Sequence, residues 1–185
     1  MEWVIPAIFV VLLVWLVMIY NRMVALRQTT GQAWADVEVQ LKQRHDLVPN
    51  LVETVKGYAA HERGTLDAVV QARNQATAAP SPEAAGEAEA ALTGALGRVF
   101  ALAEAYPDLK ADAGFRQLQS ELSDLENKIA AARRFFNNAV QEYNTSTEQF
   151  PAIILAKNAG FMRMEFFALA EAERAAAETP PSVKF

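Results

Sequence analysis

The side chains able to do chemistry are few and widely spaced. The chain has 185 residues, two histidines and no cysteine, so disulfides and thiolate metal sites are excluded, although the compartment is left open. A carboxylate-bridged di-metal site in a helical bundle needs Glu-x-x-His on two helices. Neither histidine fits, because Lys42 stands three before His45 and Tyr58 three before His61. His61-Glu62-Arg63-Gly64-Thr65 lacks the second histidine of a zinc-protease helix. Thr29-Thr30 and Asn144-Thr145-Ser146-Thr147 have no base beside them, and the second group reads as a solvated helix end. There is no Gly-rich phosphate loop and no nucleophile elbow. The residues therefore predict no enzyme, no catalytic residue, no metal and no cofactor. Two polar groups do interrupt apolar seams: Arg44, Asp46, Asn50 and Glu53, and then Glu126, Arg133, Asn137 and Asn144. They read as a groove for a ligand or peptide, or as ion pairing and capping that fix helix register. The second reading is preferred, with partners expected for any charge that is internal.

The elements that would position these groups are helical. Ala, Leu, Glu, Gln and Arg dominate and only eight glycines occur, so the fold class is all-α. The clearest rod runs from Phe115 to Phe150. Its apolar residues Phe115, Leu118, Leu122, Leu125, Ile129, Ala132, Phe136, Ala139 and Tyr143 step three, four, three, four, and Phe150 closes the series. At ~1.5 Å per residue this rod is roughly 55 Å long. A single apolar edge of that length needs partner helices along it.

Trp3 to Tyr20 carries no charge and covers about 27 Å as a helix, close to the hydrocarbon thickness of a bilayer. Trp3 and Tyr20 stand at its ends, where amphipathic rings favour the membrane interface. A cleaved signal peptide needs positive residues before the run and small ones after it. Glu2 precedes and Tyr20-Asn21-Arg22-Met23 follows, so an uncleaved anchor over residues 1–21 is predicted. A buried core helix is disfavoured by Glu2 and Arg22 fencing the run. Arg22 and Arg27 on the C-terminal side place the N-terminus outside and the rest in the cytoplasm by the positive-inside rule.

After the span, Trp34, Val37, Leu41 and Val48 mark the stripe of a first soluble helix, with Arg44 and His45 between the last two. Asp46 as N-cap and Pro49 in a first turn predict a chain reversal at His45-Asp46. The rival is one helix kinked at Pro49, because the apolar steps continue through Leu51, Val55 and Tyr58. In the preferred reading the next helix carries Val48, Leu51, Val52, Val55, Tyr58, Leu66, Val69 and Val70 and runs to about Ala78, through Gly57 and Gly64. Ser81-Pro82-Glu83 opens a third helix, Tyr106-Pro107-Asp108 closes it, and Asp108 or Asp112 caps the long rod. A short helix, Ala152 to Ala159, ends at Gly160. The architecture expected is a transmembrane helix followed, over residues 22–160, by an antiparallel up-down-up-down four-helix bundle with long helices. Residues 161–185 are expected to form an apolar cluster and a frayed tail. Up-down order returns Phe161, Met162, Met164, Phe166, Phe167 and Leu169 towards the lipid, where they would touch the membrane or a membrane-bound partner, or fold back on the bundle's lower end. The second outcome is preferred.

Several of these segments resemble the LemA family over nearly the whole chain: Tyr20-Asn21, Trp34-Ala35-Asp36-Val37, Asp46 through Ala59, Tyr106 through Ala111, Asn137, Tyr143-Asn144, Phe150-Pro151 and Gly160-Phe161. One departure is Phe136 before Asn137, where the family usually has a Tyr. The ring is kept and one hydroxyl is lost. The resemblance implies a single-pass membrane protein with a membrane-proximal antiparallel helical bundle, and no agreed biochemical activity.

The formal net charge is −5 with no basic block, so nucleic acid is not expected as a partner. The expected role is a membrane-anchored helical-bundle scaffold or adaptor at the bacterial inner membrane. It would hold an unidentified membrane or cytosolic protein, or other copies of itself in a homo-oligomer. The alternative is an oligomeric protein that shapes the bilayer surface.

Overall fold

The computed structural model describes residues 3–167. They form α1 (Val4–Lys56), α2 (Arg63–Thr77), α3 (Pro82–Ala103), α4 (Pro107–Ala111), α5 (Ala113–Glu148) and α6 (Ala152–Ala159), and the described residues contain no strand. Leu169, expected in the apolar cluster, and the tail from 168 onward, expected to fray, lie outside the described residues.

Side-chain contacts set the directions of the rods. Tyr58 meets Asp112, Arg44 meets Glu126, Thr30 meets the Ala139 carbonyl and Arg22 meets Glu142, so α5 runs back along the whole soluble length of α1. Thr77 near the end of α2 reaches His45, and α3 climbs from there past Arg44 at Glu89 to Tyr106, which bonds Glu62 at the top. Up, down, up and down describes α1, α2, α3 and α5. Because α2 and α3 are only 15 and 22 residues long, the four-helix section covers the upper half alone. Its core joins Val48, Leu51 and Val55 of α1 to Val69, Leu92, Val99 and Phe115. Each such side chain, once fully buried, contributes about 1.5–3 kcal/mol. Below it, Val37 and Leu41 of α1 pack with Ile129, Phe136 and Val140 of α5, closed by Phe167 from the C-terminal segment.

The heptad series on α5 is buried or half-buried from Phe115 to Tyr143, whereas its last member, Phe150, is exposed. Val140, Asn144 and Thr147 are buried as well, which widens the covered face at the lower end. The C-terminal segment lies over this extra width.

The expected reversal at His45-Asp46 does not occur. α1 passes through Pro49 without interruption, which is the kinked-helix alternative, and the chain turns at residues 57–62 instead. Proline lacks the N–H that would bond the carbonyl four residues back, here that of His45. Arg73 of α2 supplies the missing donor: its Nε donates to the His45 carbonyl at 2.8 Å. Relief of that carbonyl by a neighbouring helix allows the helix to continue. The real turn falls at Gly57, one of the two glycines expected inside a helix. Tyr58 and Val70, expected in the buried stripe, are both substantially exposed. Replacing Arg73 with Met is expected to destabilise the bundle by about 1 kcal/mol, the low end of the cost of an unpaired acceptor, because the site is only part-buried. In a Pro49→Ala background the Ala N–H takes over and the loss shrinks. A double-mutant cycle by urea unfolding measures this coupling, and strictly additive effects would refute the donor role.

The helix starts at Ser81 and Asp112 are as expected. Ser81 Oγ accepts from the Ala84 N–H at 3.3 Å, and Asp112 Oδ1 accepts from the Phe115 N–H at 2.8 Å. Gly160 ends α6 in the left-handed region, φ 74°, where a side chain is strained. The bond from the Phe115 N–H holds the Asp112 carboxyl below its usual range, with further lowering from the Tyr58 hydroxyl. A carboxyl depressed in the folded state stabilises fully above its unfolded value and loses that contribution as pH falls through the folded one. Amide protection at the start of α5 is thus expected to hold from neutral pH to about 4 and then fall. In Asp112→Asn this acid-dependent part disappears, as NMR protection factors for Phe115 and Arg116 would show.

Candidate functional site

Two places collect the polar residues singled out by the sequence. The first is a buried charged centre in the middle of the rods. Arg44 and His45 lie on the inner face of α1 because the apolar stripe of Leu41 and Val48 runs on either side of them. Arg44 and Glu89 are only 3% and 4% exposed. One Arg44 nitrogen, Nη1, donates to Glu89 Oε2 at 3.3 Å; the other, Nη2, donates to Thr93 Oγ1 at 2.7 Å and lies 3.1 Å from Glu126 Oε2. His45 Nε2 bonds the second oxygen of Glu89, while Nδ1 stands 3.4 Å from the Thr77 hydroxyl. One carboxylate from α3 thus receives two bases from α1, and α2 and α5 complete the ring. Every buried charge in this centre has a partner. The sequence puts Arg44 and Glu126 in separate polar groups and does not single out Glu89, which sits in an Ala-rich helix with no local signal beyond its charge.

Above this centre α3 and α5 flank an open groove. The groove between them is about 740 Å³ and is lined by Leu96, Phe100, Arg116, Ser120 and Glu126, with Arg44 at its floor. Asp46, Asn50 and Glu53 do not join the ion-paired centre: all three lie further along α1, exposed to solvent.

The second place is the lower end. There Asn144 Nδ2 donates to the Met164 carbonyl at 3.0 Å, and its Oδ1 accepts from the Met164 N–H at 2.9 Å. Asn137 holds Phe167 in the same two-way manner, at 3.1 and 2.9 Å. The Tyr143 hydroxyl donates to the Met162 carbonyl at 2.9 Å. Burial raises the Tyr143 phenol above its ordinary range, an effect that Arg27 partly offsets. Residues 162–167 are therefore an extended strap pinned along α5. Phe167 is buried against Trp34, ring centres 6.2 Å apart, and Trp34 packs on Phe136 at 5.1 Å. The LemA family model matches residues 33–185, which takes in both the charged centre and the strap.

The chain belongs to the LemA family.

Curated relatives agree. Magnetosome protein MamQ of Magnetospirillum gryphiswaldense is 28% identical over 191 residues, covering 89% of this chain and 69% of the relative. Magnetosome protein MamQ 2 of Paramagnetospirillum magneticum is 26% identical with the same coverage. Protein LemA of Metamycoplasma hominis is 26% identical over 147 residues, 77% of this chain and 66% of the relative. Within this LemA-family chain, Asn137, Tyr143 and Asn144 now have a physical role, since all three hold the strap. Phe136 is buried against the ring of Trp34.

Of the residues expected at the membrane interface, Trp3 is exposed and Tyr20 stacks edge-to-face on Phe161, centroids 5.6 Å apart. Arg22 is exposed 4.0 Å from Glu142, a pair worth about 0–1 kcal/mol, and Arg27 is exposed beside Tyr143. The cluster expected to touch membrane or partner divides. Phe167 is buried, Met164 and Phe166 are half-buried against the lower core, Phe161 packs beside Met23, and Met162 points outward. The N-terminal part of α1 has a mean hydropathy of 2.5 and no buried residue, and is long and apolar enough to cross a membrane. With the family and the magnetosome relatives, this makes the chain a membrane-associated helical protein.

Proposed function

We propose that this LemA-family protein is a scaffold or adaptor without catalytic activity, fixed to the bacterial inner membrane with its N-terminus outside and its bundle in the cytoplasm. The observation that carries the reading is the continuity of α1. One unbroken helix, Val4–Lys56, begins as an exposed apolar span and ends in the core of the upper bundle. A helix without a joint transmits position from lipid to bundle, which suits holding better than swinging. The charged centre supports the same view. Its groups are committed to one another across four helices, as expected of residues that set register. Neither the LemA nor the MamQ name denotes a reaction. Orientation rests on Arg22 and Arg27 after the span. Partners are a membrane or cytosolic protein, or further copies of this chain.

Crosslinking in native membranes tests the role. Capture of a defined protein, or of a homo-oligomer, is the expected result; monomer alone at every crosslinker length would remove the scaffold reading. Single cysteines at Glu2 and Lys110, labelled from outside with a membrane-impermeant reagent, test orientation. Only the first is expected to react.

A further inference from the structure

Phe150, Ile154 and Met162 are 81%, 56% and 79% exposed, large apolar side chains gathered at one end of the protein. Their neighbours fix where that end lies. Phe150 and Pro151, at the corner between α5 and α6, line a cavity of about 330 Å³ together with Trp15 and Ile19 of the apolar span. α6 is fastened to α1 by Met23, Ala152 and Ala156, with Ile19, Leu155 and Phe161 packed around them. Phe161 in turn stacks on Tyr20. The corner and α6 therefore lie where the lower end of α5 meets residues 15–23 of α1.

Depth follows from helix rise. With Tyr20 at the interface, Trp15 lies five residues deeper, about 7.5 Å at 1.5 Å per residue. Helices lying in the membrane plane bury their apolar face ~5–10 Å into the headgroup and acyl boundary. The corner thus reaches the depth at which such a face rests. We propose that the α5–α6 corner and α6 form a second membrane contact, a foot whose Phe150, Ile154 and Met162 enter the bilayer crossed by the chain's own span. This rests on the anchoring part of the proposed function and is independent of the scaffold part.

The charges set the character of the contact. Arg22, Arg27, Lys157 and Arg163 are exposed there, faced by Glu142, Glu148 and Glu165, and Arg163 is paired with Glu148 at 3.1 Å. The basic surplus is small. Apolar insertion and not phosphate attraction carries the contact, and Lys157 keeps its ammonium in the headgroup layer while its stem lies against lipid. Salt then has little effect on it.

The chain has no cysteine, so a single introduced one takes a label uniquely. The full chain is reconstituted in phosphatidylcholine–phosphatidylglycerol vesicles, some carrying nitroxide at a shallow acyl position. An environment-sensitive fluorophore is placed at Phe150→Cys, Ile154→Cys or Met162→Cys. Val17→Cys in the span is the lipid reference; Gln141→Cys on α5 and Lys110→Cys at the far end are the water references. The expected result is quenching at the three foot positions comparable with Val17→Cys, several-fold above Lys110→Cys and unchanged by salt. Quenching at Val17→Cys with foot labels as unquenched as Lys110→Cys overturns the foot and leaves the anchor standing. A blue-shifted but unquenched foot label also overturns it, by showing a protein surface such as a second copy. Absence of quenching at Val17→Cys itself overturns the anchor and the foot together.

Discussion

Glu89→Ala is expected to destabilise the bundle by about 3–5 kcal/mol, the usual cost of leaving buried charge without its partner. The carboxylate is shared: removing it strips His45 of its Nε2 partner and leaves Arg44 with Thr93 and with Glu126. The Glu126 side chain is 49% exposed, so it compensates only in part. Against a whole-domain stability of about 5–15 kcal/mol the loss is large. Urea or thermal unfolding of the full chain in detergent, followed by far-UV circular dichroism, reads it directly. Glu126→Ala is expected to cost much less, because its head already faces water. Glu89→Gln keeps the shape but turns an acceptor oxygen into a donor towards Arg44 or His45, so it is expected to fall between the two. A combined Arg44→Met, His45→Leu, Glu89→Met protein should recover most of the loss, since apolar replacement of a whole buried ionic group is often neutral or better. A Glu89→Ala protein within about 1 kcal/mol of the parent would show that water reaches this centre and that the burial is only apparent.

Releasing the strap is the second large effect. Asn137 and Asn144 make four hydrogen bonds to the backbone of Phe167 and Met164. At about 0.5–1.5 kcal/mol each, the double Asn137→Ala, Asn144→Ala protein loses roughly 2–6 kcal/mol of local stability. The global fold is expected to survive, since the upper core does not touch the strap. Two readouts separate local release from unfolding. The Met164 and Phe167 amides should lose exchange protection while those of Val48 and Val99 keep theirs, and trypsin should cut after Arg163. Asn144→Asp is expected to behave nearly as badly as Asn144→Ala, because a carboxylate cannot donate to the Met164 carbonyl and would repel it. Unchanged protection at Met164 in the double variant would show that apolar packing of Phe167 alone holds the segment.

These two clusters show how far a sequence can be read. Asn137 and Asn144 stood out as polar residues on an apolar rod, and ion pairing or capping was the preferred account of such groups. The actual partner of the asparagines is backbone twenty to thirty residues away. An amide that clamps both the N–H and the carbonyl of one distant residue leaves no mark in local spacing. Glu89 has no mark beyond its charge. On the α5 stripe, periodicity leads correctly to Tyr143 and fails at Phe150, where the helix has ended and the side chain is exposed.

By itself the sequence determined what repeats locally: an all-helical chain, an apolar span of membrane length, the heptad of α5, the caps at Ser81 and Asp112, and the stop at Gly160. Each depends on residues within a few positions of one another, so short-range pattern suffices. Only the tertiary structure decided that α1 continues through Pro49, because the group that relieves the stranded His45 carbonyl is Arg73, on another helix. It likewise decided the Arg44–Glu89–His45 ring, the strap on α5 and the corner lying beside Trp15. In each case the deciding energy is a desolvated polar partner or an apolar face supplied from far along the chain, and such partners meet only once the rods have packed.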